Sequence, residues 1–152
     1  MSIETWELWS YVVTVVGLPA AIVLFWLERR KERENDEEEV YQLLSDNYQD
    51  FLKVVLEHAD LKLFSIHHTE DLTPEQREKM LIIFSMLISL FERAYLLLYE
   101  RGMSEKQARR WRTWEDYMRE WADRADFREM LPTLLDNEDP EFAAYLRSLM
   151  TK

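Results

Sequence analysis

The sequence predicts an all-α protein in which one N-terminal transmembrane helix precedes a cytoplasmic bundle of about four to five helices. Three observations predict it. Only 2 of the 152 residues are glycine, no segment alternates apolar and polar residues as a half-buried strand does, and apolar residues recur instead at steps of three and four. The length allows one hydrophobic core and hardly a second. Absence of cysteine excludes disulfides, thiolate zinc sites and a cysteine nucleophile. So few glycines also leave nothing from which to build a phosphate-cradling or dinucleotide-binding loop.

Residues 1–7 read as a short extracytoplasmic terminus and 8–27 as the span. The stretch LWSYVVTVVGLPAAIVLFWL, Leu8 to Leu27, carries no charge, and at about 1.5 Å per residue its length matches a hydrocarbon core of roughly 30 Å. Trp6 and Trp9 mark one interface and Trp26 the other, because amphipathic rings settle at the headgroup boundary. Glu4 and Glu7 precede the span, whereas Arg29, Arg30, Lys31 and Arg33 follow it. That bias puts the N-terminus outside and the remainder in the cytoplasm, with the lipid membrane as a partner and the four bases as a collar for anionic headgroups. An acidic start and the lack of a small-residue cleavage site favour a retained anchor over a signal peptide. Ser10, Thr14, Gly17 and Ala21 share one stripe of the helix. Small and hydroxylated residues let spans approach and hydrogen-bond, so this stripe is the expected self-association face of a homo-oligomer; the alternative is a chance clustering of small residues. Pro19 is expected to kink the helix nearby.

Residues 28–39, ERRKERENDEEE, form a charged juxtamembrane linker, read as helix because neither glycine nor proline interrupts it. Residues 40–152 form the bundle. Tyr41, Leu44, Tyr48, Phe51 and Val55 give a helix over about Val40 to His58 with one buried face. Thr73-Pro74-Glu75-Gln76 is a capping box with proline at the first helical position, opening a helix to Glu100 that Gly102 stops in the left-handed conformation. Ser104 to Gln107 opens the next, toward Asp123. Asp126 to Glu129 repeats the signal for a short helix broken by Pro132, and Asp139-Pro140 starts the last, ending near Met150. Met80 to Phe91 is apolar on nearly every side, as in a helix surrounded by others. Its twelve residues span only about 18 Å, and extension through Glu92 and Arg93 is costly in lipid, so a core helix is expected here and not a second span.

No catalytic constellation emerges. His67 and His68 with Glu70 and Asp71 lack the spacing of a metal site and read as a solvated loop. His58 reads as a partly buried surface residue. Walker, nucleophile-elbow, zinc-protease and kinase signatures are absent, so the expectation is a non-enzymatic protein without metal or cofactor. The most distinctive stretch carries Lys106, Arg109, Arg110 and Arg112 around Trp111 and Trp114, a candidate site for an anionic ligand. Against it, Trp111, Trp114, Met118, Trp121 and Ala125 fall at helical spacing as a buried stripe does. The arginines are then its solvated flank, balanced by Glu115, Asp116, Glu120 and Asp123. A net charge of −11 repels duplex nucleic acid, so any ligand there is small or locally gripped.

From the anchor onward, LFERAYLLLYERG at Leu90 to Gly102, RRWRTWEDYMREW at Arg109 to Trp121, DFREML at Asp126 to Leu131 and DPEFAAYL at Asp139 to Leu146 make the chain resemble a loose group of small bacterial single-pass proteins of unknown function. The layout is also similar to membrane accessory proteins of bacterial antiviral systems, including the type VI-B CRISPR accessory that forms an oligomeric membrane pore. This resemblance implies a place in the bacterial inner membrane and a role as an oligomeric effector, pore or accessory in antiviral defence. The Arg and His spacing of HEPN-type ribonucleases has no counterpart before His58, His67 or His68, which leaves a membrane-bound hydrolase without a site. The other reading is a tethered adaptor or sensor whose bundle binds a protein partner or a small anionic ligand through Arg109, Arg110 and Arg112.

Overall fold

The computed structural model describes the backbone of residues 3–150 and the side chains of residues 21–150, and every regular element among the described residues is helical. Five α-helices follow in order: α1 Ile3–Glu57, α2 Pro74–Leu98, α3 Glu105–Ala122, α4 Ala125–Leu134 and α5 Pro140–Leu149, with a single 3-10 turn at Ala59–Leu61. The chain divides into two compact units, Met1–Val40 and Tyr41–Lys152. α1 is helical throughout 28–39, where no residue breaks the backbone and Arg30 pairs with Glu34 one turn on, 3.5 Å away.

In the second unit the helix starts obey local chemistry. Thr73 Oγ1 accepts from the Gln76 amide at 3.2 Å while Gln76 Oε1 accepts from the Thr73 amide at 3.1 Å. Ser104 and Gln107 repeat the exchange at the start of α3. Asp139 Oδ1 accepts from the amides of Glu141 and Phe142, both at 2.9 Å, ahead of Pro140 at the first position of α5. Each cap supplies acceptors to amides that the helix itself leaves unpaired.

Four details differ from expectation. α2 ends at Leu98, with Tyr99 already extended; Gly102, at φ 86°, bends the following turn and does not stop the helix. α3 ends at Ala122 with Asp123 as its C-cap, as expected, but Ala125 leaves the tryptophan stripe and stands exposed in the first turn of α4. Asp126 is not the capping residue: Arg124 holds the capping position of α4 without a side-chain bond, and Asp126 is a buried residue inside the first turn whose carboxylate accepts from the next amide, that of Phe127, at 2.9 Å. Pro132 does not break α4, which runs on to Leu134; the missing amide costs one hydrogen bond near the helix end, where few further bonds depend on it.

α2 forms the centre, packing Met80, Ile83, Phe84, Leu87, Ile88, Phe91 and Tyr95 against the helices that follow. Trp111 meets Tyr95 and Trp121 meets Phe84, so α3 runs antiparallel to α2. The C-terminal part of α1 runs parallel to α3: Arg110 lies over the Tyr41 ring, Tyr48 meets Trp114 and Phe51 meets Trp121. α1 therefore covers the tryptophan side of the bundle. The expectation that α2 is surrounded is corrected here, because Leu81, Ile82, Met86, Leu96 and Leu97 remain exposed. Periodicity records that a side chain is apolar, not that something covers it.

Candidate functional site

Side chains of Trp6, Trp9, Ser10, Thr14 and Gly17 lie outside the described residues, while Ala21, Trp26, Arg29, Arg30, Lys31 and Arg33 are exposed on α1. Ile22 to Leu27 are each between 49% and 61% exposed, and six consecutive residues occupy more than one full helical turn. Apolar side chains thus face outward on every side of this segment. The collar folds back onto it: the Arg29 guanidinium lies 5.2 Å from the Phe25 ring centre and that of Arg30 5.7 Å from the Trp26 ring. Among the described residues, the helix long and apolar enough to cross a membrane is α2, and 39% of its most apolar stretch is buried in the bundle.

On α3 the four bases do not converge. Lys106, Arg109 and Arg112 are exposed, whereas Arg110 is half-buried above Tyr41. At 100° per residue the set fans around nearly half of the helix, opposite the buried Trp111, Trp114, Met118 and Trp121. The tryptophan stripe is core, as its spacing implied. Its indoles are satisfied inside: Trp121 Nε1 donates to Tyr48 Oη at 3.1 Å and Trp111 Nε1 to Tyr145 Oη at 3.0 Å. Tyr145 in turn donates to Glu115 Oε2 at 2.6 Å, and Arg119 holds the other oxygen of that carboxylate. Burial, followed by the hydrogen bond with Glu115, pushes the Tyr145 phenol up; burial likewise pushes Tyr48 up to about 12. Both phenols are thus held neutral, Tyr48 as an acceptor and Tyr145 as acceptor and donor in turn.

The most enclosed polar cluster was invisible in the sequence. Arg124 and Asp126 are each 3% exposed. Arg124 Nε donates to Asp126 Oδ1 at 2.9 Å and Nη2 to Asp126 Oδ2 at 2.5 Å, a two-point pairing of fork and carboxylate. Nη1 donates to the carbonyls of Leu63, at 2.6 Å, and of Ile66. Asp126 also accepts from the Thr69 amide at 3.2 Å, while the Thr69 hydroxyl donates to the Leu61 carbonyl at 2.7 Å. The Ala125 amide closes the cluster by donating to the His67 carbonyl at 2.8 Å. Together these bonds clamp the connection between α1 and α2, which has little secondary structure to satisfy its own carbonyls, onto the start of α4. No spacing rule pairs an arginine with carbonyls some 60 residues earlier.

A second acidic contact sits where α2 meets the turn before α5. Glu92 accepts from the Asp139 amide, and Glu138 lies against it. Burial, then the hydrogen bond to Glu92 and its charge, push the Glu138 carboxyl from 4.5 up to about 7. Between those values the folded chain keeps a proton that the unfolded chain has released, so stability falls as pH rises through this window. Glu138→Gln should flatten that decline. Urea titrations of both chains at several pH values from 4.5 to 7 check it, and parallel slopes would contradict it.

His67 and His68 are exposed, and among the described residues no group of three or more His, Asp or Glu side chains is placed to hold a metal ion. Compared with family models, curated proteins and solved structures, the chain matches none.

Proposed function

We propose that the chain is a non-enzymatic, membrane-anchored helical protein that self-associates through its N-terminal helix and acts as an oligomeric membrane effector or accessory in bacterial antiviral defence. The observation that carries the anchor is the all-round apolar exposure of Ile22 to Leu27, closed off by Arg29 and Arg30 stacked back on Phe25 and Trp26. Water does not tolerate such a surface on every side of a helix, whereas hydrocarbon does. Arginine stems lying along apolar rings carry their charge toward a headgroup layer. With the bases on the C-terminal side of the span, the N-terminus lies outside and residues 41–152 in the cytoplasm.

Association runs through Ser10, Thr14, Gly17 and Ala21, where a small residue lets helix backbones approach. Gly17→Leu should therefore dissociate the assembly. Native mass spectrometry of the chain released from lipid nanodiscs reads the subunit number directly, and an unchanged number in the variant would remove the seam. A closed ring of about six or more copies that also leaks dye from vesicles fits an effector; a monomer or dimer without leakage would sink that role and leave a tether.

A further inference from the structure

The outward face of α2 carries Glu78, Ile82, Ser85 beside Met86, Ser89 and Arg93 at steps of four, three, four and four, one line along the helix. Ile82 is 53% and Met86 43% exposed. A groove of about 560 Å³ runs alongside them, between α2 and the Asn47 to Val54 stretch of α1. The Ser85 hydroxyl donates back to the Leu81 carbonyl at 2.8 Å, which leaves the middle of the line small and short of free donors. Glu78 and Arg93, at its two ends, are exposed and form no ion pair among the described residues.

We propose that a second copy of this chain covers this face, α2 packing antiparallel on α2 across a two-fold axis at Ser85 and Met86. The charge order selects the occupant and the direction. Antiparallel packing about that axis sets Glu78 opposite the partner's Arg93 at both ends and Ile82 opposite the partner's Ser89, where the small residue admits the larger one. Parallel packing sets like charges together and is repelled. A bilayer suits the line less well: Glu78 and Arg93 are about 22 Å apart along the axis, so hydrocarbon deep enough to cover the face draws in charge at a cost. This contact lies within residues 41–152 and stands whether or not the N-terminal seam associates.

The chain has no cysteine, so Ser85→Cys places a single thiol beside the axis without disturbing the core. In the full chain in nanodiscs, mild copper oxidation should join two copies of Ser85→Cys, with several-fold less product from Leu81→Cys, one turn earlier, where the two thiols stand about 13.5 Å apart along the helix axes. Adding Glu78→Arg, or Arg93→Glu, to Ser85→Cys should lower the yield several-fold, and both together should restore it. Gly17→Leu in the same background separates this contact from the seam: a cross-link that persists while native mass spectrometry shows fewer subunits assigns the two to different surfaces. Equal yields from Ser85→Cys and Leu81→Cys, or a failure of the double charge exchange to restore the product, would overturn the pairing. So would an unjoined thiol that water-soluble maleimide cannot reach, since lipid then covers the face.

Discussion

Replacing Asp126 by alanine should lower the stability of the bundle by about 3–5 kcal/mol, the usual cost of leaving one partner of a buried ion pair without the other. The Arg124 guanidinium would keep its bonds to the Leu63 and Ile66 carbonyls but lose the carboxylate bonded to it, at a position 3% exposed. Two amides, those of Thr69 and Phe127, would lose an acceptor at the same time. In thermal melts of the full chain in detergent, followed by near-ultraviolet circular dichroism, the midpoint should fall by roughly 10–20 °C. Asp126→Asn should fall by nearly as much, because it restores shape without restoring charge. A loss under about 1 kcal/mol, the scale of an exposed pair, would mean that water reaches the guanidinium.

Trp121→Ala should cost a similar amount, about 3–5 kcal/mol, for a different reason. The indole is 2% exposed and meets Phe51, Phe64 and Phe84 edge-on at 5.6, 5.2 and 6.3 Å between ring centres. It therefore joins α1, the connection after it and α2 on one side chain of α3. Truncation opens a cavity between helices that cannot all close on it, and leaves the buried Tyr48 hydroxyl without its donor. Trp121→Phe separates the two contributions: most of the ring packing stays, and the loss should shrink to the scale of a hydrogen bond and part of a ring, about 1–2 kcal/mol. Denaturant titration of the three chains checks the order. If phenylalanine proved as damaging as alanine, the hydrogen bond and not the packing would dominate.

What was legible in the sequence was local. Thr73 with Gln76, Ser104 with Gln107, and Asp139 with Pro140 carry their partners within three residues, so each helix start followed from residue types alone. Tyr41 to Val55 and Trp111 to Trp121 gave their buried faces by spacing. Asp126 misled because its residue type fits a cap, while its actual partners include an amide 57 residues earlier. Gly102 misled because a left-handed glycine serves a turn as readily as a helix end. Of the candidate site, the apolar run and basic collar of α1 were plain from composition. The fan of bases on α3 needed the structure, since four charges within seven residues do not reveal whether they converge. The open face of α2 was hidden in the same way, by a pattern that reports chemistry and not neighbours.

The Arg124 clamp also bears on the order in which the molecule is made. Synthesis delivers α1 and α2 before Asp126 exists, and domains emerging from a ribosome begin to organise from the N-terminal side. Among the described residues, the carbonyls of Leu63 and Ile66 and the amide of Thr69 find their partners only in Arg124 and Asp126, where α4 begins. A nascent chain halted before Asp126 can thus wind its first helices yet leave the connection between them unsettled. The joint between the two earliest helices is finished by one of the later ones.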